Sequence, residues 1–201
     1  SCAATILAAD LQGLTDGTTY TITVNVDDAA GNSATADTGD TFIYDKTAPS
    51  ISNVVASWGA YLNSVEDNSD GTITVTTVGA EDAQTVTVTG MGVTDTCSVS
   101  TNSCAATVAA ADLQALTDGT TYTITVNVDD AAGNSATADT GDTFIYDVTA
   151  PSISNVVADW GAYLNAAEDN SDGTITVTTT GIENGQTVTI TGMGVTDTCS
   201  V

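Results

Sequence analysis

The chain has 201 residues and a formal net charge of −25, because 26 Asp and Glu face a single basic residue, Lys46, and no His. That balance excludes nucleic acid and anionic membrane as partners, since almost nothing can neutralise a phosphate, and it favours divalent cations. Yet 41% of residues are hydrophobic and mean hydropathy is +0.12, so the acid belongs in the loops of a folded protein rather than in a disordered tail.

In chain order, residues 1–45 read as the last three strands, E to G, of a β domain whose front half lies outside them. Next comes the linker "FIYDKTAPSI" (42–51), repeated as "FIYDVTAPSI" (144–153); these hold both prolines of the chain. Proline pushes its predecessor towards extended geometry and cannot donate to a sheet ladder, which suits a taut connection. Residues 46–147 then carry strand signals separated by turn signals. The predicted strands are A (51–57), B (71–78), C (84–90), D (93–99), E (103–109), F (120–128) and G (135–147). In F, Tyr122, Ile124, Val126 and Val128 alternate with Thr121, Thr123, Thr125 and Asn127, as a half-buried antiparallel strand requires. Only "AAADLQAL" (109–116) hints at a helical turn. Residues 148–201 read as strands A to D of a following domain.

Behind this order lies a repeat. Residues 1–99 align without a gap on 103–201, and 87 of the 99 pairs are identical. The expected fold is all-β: tandem immunoglobulin-like β-sandwiches of about seven strands each, with one complete central domain and two half-domains. Residues 1–45 alone are too few to bury a sandwich core, so something beyond them should complete that domain. Two versions stay open at this stage, a window on one giant polypeptide or a short subunit completed by its neighbours. No apolar run approaches the ~20 residues of a membrane helix. No signal peptide is visible either, so export would be directed from outside this stretch.

The four cysteines are Cys2, Cys97, Cys104 and Cys199. Cys97 and Cys104 bracket "SVSTNS" on strands D and E, predicted to be adjacent, so a disulfide across that hairpin is expected, with two buried thiols as the plainer alternative. Two cysteines without His do not make a tetrahedral zinc site. A disulfide implies an oxidising, extracellular setting. Cys199 matches Cys97 and Cys2 matches Cys104, so Cys199 is expected to pair with Cys2 of a neighbouring chain or repeat.

Loop position decides which acids can meet. In a seven-strand sandwich the B–C and F–G loops share the pole at which the linker enters. A calcium site, needing six to eight oxygen ligands, is therefore expected from Asp45, Glu81, Asp129, Asp130 and Asn134. The copies Asp27, Asp28 and Asn32 would serve a linker upstream, and Asp147 would need an F–G loop from a further module. Ordinary Asp-Gly and Asn-containing turns are the plainer explanation. A second candidate is the A–B loop "EDNSDG", with Glu66, Asn68 and Asp70 and the copy Glu168, Asn170 and Asp172. It resembles the first half of an EF-hand loop with Gly71 at the sharp turn, but Thr77 stands where the bidentate Glu belongs, so an EF-hand is excluded.

The stretches "DKTAPSISNVVASWGAYLNSVED", "GQTVTITG", "AADLQALTDGTTYTITVNVDDAAGNSAT" and "DTFIYDVTAP" resemble the bacterial Ig-like repeats of giant surface adhesins and biofilm-associated proteins. The resemblance implies a calcium-rigidified extender array, exported and held at the cell surface. The cysteine pair departs from that pattern. With no His and one linker Lys, catalysis would rest on carboxylates alone, so the chain reads as a non-enzyme. The reading is thus a structural extender of an extracellular rod, with identical repeats or subunits head to tail as partners. The alternative is an adhesive module that binds ice or glycans through Thr-rich sheet faces. An exposed tryptophan would favour that alternative; a buried one favours the rod.

Overall fold

A computed structural model describes all 201 residues and divides into two units, Ser1–Asp147 and Val148–Val201. The first unit opens with a short helix, α1 (Ala8–Gln12), and an antiparallel pair, β1 (Thr18–Val24) and β2 (Asp37–Tyr44). The central region continues with β3 (Ser50–Ala56), β4 (Tyr61–Leu62), β5 (Gly71–Val78), β6 (Thr85–Thr89) and β7 (Asp95–Ser98). It ends with β8 (Ser103–Val108), α2 (Ala110–Leu113), β9 (Thr120–Val128) and β10 (Asp139–Tyr146). The second unit holds two separate antiparallel pairs, β11 (Ser152–Ala158) with β12 (Ile175–Thr180) and β13 (Thr187–Gly192) with β14 (Val195–Ser200).

Residues 46–147 form a sandwich of a three-stranded sheet, β3–β5–β8, and a five-stranded sheet, β4–β10–β9–β6–β7. Period-two patterning produces this directly. Along β5, Ile73, Val75 and Thr77 are buried while Thr74 is exposed; along β9, Ile124, Val126 and Val128 are buried. The core centres on an aromatic cluster, in which Trp58 meets Phe144 edge-on at 5.2 Å and Phe144 stacks on Tyr122 at 5.6 Å.

The predicted strands A to G correspond to β3 and β5–β10, and the expected helical turn is α2. Three details differ. Strand G begins at Asp139 rather than 135, because Ser135 makes only an isolated bridge with Asp129; within the strand, a register shift between Asp139 and Asp142 interrupts its ladder with β9. The two-residue strand β4 was not expected; it carries "WGAYLN" from one sheet to the other and pairs in parallel with β10. The third correction concerns strands D and E, which do not form one hairpin ladder. Thr101 and Asn102, at φ 52° and 61°, make a tight turn closed by Ser100 and Ser103. Beyond that tip the strands part, β7 joining β6 and β8 joining β5. The Cys97–Cys104 disulfide is present and therefore staples one sheet to the other at the edge of the sandwich.

Gly71 also has another role than expected. It is not at a left-handed turn; a Cβ there would overlap the Trp58 ring and crowd Leu113. Its lack of a side chain is what lets the indole lie flat in the core.

Candidate functional site

The loop "DDAAGN" between β9 and β10 closes on itself. Asn134 donates its backbone N–H to Oδ1 of Asp130 and its side-chain amide to Oδ2, both at 2.8 Å. Burial pushes the Asp130 carboxyl up, but the hydrogen bonds from Asn134 and from the backbone of Ala132 and Gly133 outweigh it and hold the group below the usual range. The earlier copy repeats the arrangement, with Asn32 on Asp28 at 2.9 and 2.8 Å, and Asp28 is lowered chiefly by the Asn32 side chain.

This loop is tied to the linker and to the loop between β5 and β6. The Asn134 side chain also donates to the Asp45 carbonyl at 3.2 Å, and Glu81 Oε2 accepts the Ala131 N–H at 2.8 Å. Asp45 Oδ1 accepts the Thr47 N–H at 2.9 Å. Asp45 and Glu81 face a shared cavity of about 480 Å³, whose other walls include Phe42, Ile43, Ala131 and Ala132. Of the predicted junction residues, Asp45, Glu81, Asp130 and Asn134 are thus brought together, whereas Asp129 is exposed and joins none of these bonds. Asp27, Asp28 and Asn32 lie on their own exposed loop, and the Asp147 backbone N–H donates to Leu62 at 3.0 Å. Nowhere do three or more carboxylate or thiol side chains converge as a metal-holding set.

The residues of the A–B loop serve separate partners. Asn63 Oδ1 accepts the N–H groups of Val65 and Glu66 at 2.9 and 3.2 Å, while Glu66 reaches back to the Asn63 N–H at 3.2 Å. That reciprocal pair is a capping box on a 3-10 turn, Glu66–Asn68. Asn68 bonds Ser64 and Gln114, and Asp70 accepts the Ala110 N–H at 2.9 Å, capping α2. Asn165 and Glu168 form the same box in the second unit, where Asn170 bonds Ala166 at 2.7 Å, and Asp172 lines a cavity of about 410 Å³ with Trp160.

Several acids escaped the sequence reading. Asp16 clamps the linker, taking the Lys46 N–H at 2.8 Å and the Thr47 hydroxyl at 2.5 Å; the Thr47 bond, then the Lys46 N–H, hold its carboxyl low. Asp67 is buried and accepts the Tyr146 hydroxyl at 2.7 Å, which, with burial, pushes that phenol up to about 12. Asp82 holds the turn after β7 by accepting the Thr101 N–H at 2.7 Å. A readable signal did exist in "TDGTTY": Tyr122 accepts the Thr117 N–H at 2.8 Å, and Tyr20 accepts the Thr15 N–H likewise, each a tyrosine corner at the entrance to strand F.

The family model of the bacterial Ig-like domain (group 3) matches residues 6–148. The chain belongs to that family. Among solved structures it is similar to a 1.5-MDa bacterial ice-binding adhesin, in work on host cell surface retention, at 25% identity, covering 96% of this chain and 62% of that one with a TM-score of 0.45. It is also similar to a Ca2+-stabilized adhesin that helps an Antarctic bacterium reach out and bind ice, at 27% identity over 92% and 46% with a TM-score of 0.39. A bacterial immunoglobulin-like domain of the M. primoryensis ice-binding adhesin matches at 27% identity over 49% and 95%, with a TM-score of 0.35. The chain thus spans under two thirds of the first two. None of the curated proteins compared with it matches. No helix is long and apolar enough to cross a membrane.

Proposed function

We propose that the chain is an extender segment of a long extracellular rod, built from Ig-like modules repeating every 102 residues. One observation carries the reading. The central module is a closed sandwich, while the segments before and after it are nearly identical copies of its two halves and leave their apolar faces exposed. Such halves are completed by neighbouring copies of the same repeat, head to tail, and length grows by adding copies. The role is structural rather than catalytic. The Cys97–Cys104 staple holds the two sheets at their edge, and its chemistry fits an oxidising exterior. Exposed Cys199 and Cys2 would form the equivalent bond across a completed domain.

Calcium belongs to this proposal at the linker junction. Asp45 and Glu81 share one cavity there, and the surrounding donors are carboxylates, amides and carbonyls without nitrogen or sulphur ligands, the set a hard divalent cation selects. With two carboxylates, such an ion would also draw on backbone oxygens and water. Bound at the linker, it would resist bending between modules. The A–B loop is the weaker site, because Glu66, Asn68 and Asp70 already serve protein partners. Burial of Trp58 against Phe144 supports the rod over a glycan-binding platform.

The test is thermal unfolding in calcium and after chelation. A weak extracellular site, with ~10 mM calcium over a Kd of ~0.1–1 mM, contributes roughly 1.4–2.7 kcal/mol. Glu81→Gln should abolish that gain and Glu66→Gln should leave it. An unchanged melting curve in calcium would remove calcium from the account while leaving the rod.

A further inference from the structure

The chain enters the central domain at one pole and leaves it at the other. At the entry, Asn134, in the loop after β9, donates its side-chain amide to the Asp45 carbonyl at 3.2 Å. At the exit, Gly119, just before β9, donates its N–H to the Tyr146 carbonyl at 2.8 Å. The nine residues of β9 therefore set the two poles about 30 Å apart. A pull between them draws the start of β3 towards the entry and the end of β10 towards the exit, so both strands are loaded along their own axes. The two are not held alike. β3 is hydrogen-bonded to β5 alone, across a ladder that shifts register between Ile51 and Asn53, and it shares no ladder with β10.

The end of β10 is gripped by the chain that follows β3. Ile145 donates its N–H to the Ala60 carbonyl and Asp147 donates to the Leu62 carbonyl, both at 3.0 Å. Between them, the Tyr146 hydroxyl donates to Oδ2 of Asp67 at 2.7 Å. Three consecutive residues are thus bonded to one short segment, residues 60–67. Leu62, Asp67 and Tyr146 are all buried, so water competes poorly for these bonds. β4 and β10 also run parallel, and a parallel pair carries evenly spaced bonds. Pulled at the start of one strand and the end of the other, such bonds share the load and must fail together. We propose that residues 60–67 act as a brake on β10: when a module is stretched, this grip, rather than the packing of the core as a whole, sets the load at which it opens. The proposal rests on the extender reading above and names the element that carries the load within each module. The rate of forced opening depends on the contacts already lost at the barrier. The Tyr146–Asp67 bond is one of them. A core contact on β6, separated from β10 by β9, is not.

The experiment stretches single molecules of the full chain at constant load, through handles at its two ends. Opening of the central domain gives a step of about 300 Å, at roughly 3.5 Å for each released residue less the folded length. Reducing the Cys97–Cys104 bond, which joins residues 7 apart, lengthens that step by about 20 Å and so assigns it to this domain. Tyr146→Phe should open on the order of tenfold faster at a given load. Val88→Ala is the control, because it truncates a fully buried side chain on β6. It should lose at least as much stability in urea, yet open within about twofold of the parent rate under load. Opening rates that simply follow urea stability, with Val88→Ala as fast as Tyr146→Phe, would sink the brake and leave the rod reading standing. A chain that lengthens smoothly, without a step of that size, would mean that the module bears no load, and both readings would fall.

Discussion

Phe144 and Phe42 occupy the same position in the repeat, yet Phe144 is 2% exposed and Phe42 39%. Val126 and Val24 differ in the same way, at 0% and 59%, as do Leu62 and Leu164, at 0% and 55%. Much of the local structure recurs between copies, including the Asp–Asn loop closure, the tyrosine corner and the capping box. The counterparts of β8 and β4, residues 1–6 and 163–164, are not strands, so the strand E expected in residues 1–45 does not form. Burial differs most. Short-range hydrogen bonds shape each half, but a sandwich core exists only where strands A–D meet strands E–G. Fully burying one such side chain is worth about 1.5–3 kcal/mol, so the meeting of the two halves supplies a large part of the free energy that stabilises the closed module.

The largest separation between the regions should come from one substitution made twice. Phe144→Ala removes a core ring that touches Trp58 and Tyr122 and should cost about 3–5 kcal/mol in urea unfolding. Phe42→Ala, which loses mainly a stack on Tyr20, should cost the dilute chain under about 1 kcal/mol. Equal losses would mean that the first segment is already covered. Reduction comes next. Opening the Cys97–Cys104 loop should cost the central domain about 2.5 kcal/mol by chain entropy, whereas the second unit, with Cys199 free, should not respond.

Tyr146→Phe should cost the central domain about 1–3 kcal/mol, because it strands the buried Asp67 carboxylate without its donor. The phenol also sets a direction with pH. Its folded value is raised from 10.0 to about 12, so its contribution is complete below pH 10 and is lost as pH rises towards 12. Unfolding curves at pH 9 and pH 11 should therefore diverge in the parent and converge in Tyr146→Phe.

Strands with strict alternation were legible at once, since β5 and β9 need only a period of two and β-branched residues. What escaped depended on contacts far apart in sequence. The parallel strand β4 exists because Leu62 meets the end of β10, and nothing in "WGAYLN" announces that partner. The path of the disulfide was misread because the turn at Thr101 and Asn102 looks like a hairpin tip, while pairing with β6 and β5 draws the two strands into different sheets. Among the acids, loop position correctly placed Glu81 beside the F–G loop and Asp45 near Asn134. The A–B loop was read by its resemblance to an EF-hand, although N-x-x-E at Asn63–Glu66 is a capping box in its own right. Asp16 and Asp67 carried no local signal, as their partners lie 31 and 79 residues away.

The claim that the open halves are completed by neighbouring copies is tested most directly by hydrogen exchange of the full chain across a concentration series. Amides of β1, β2 and β11–β14 should exchange quickly in dilute solution and gain protection together as concentration rises, while β5 and β9 stay protected throughout. Protection of those strands that is already high and independent of concentration would contradict the account.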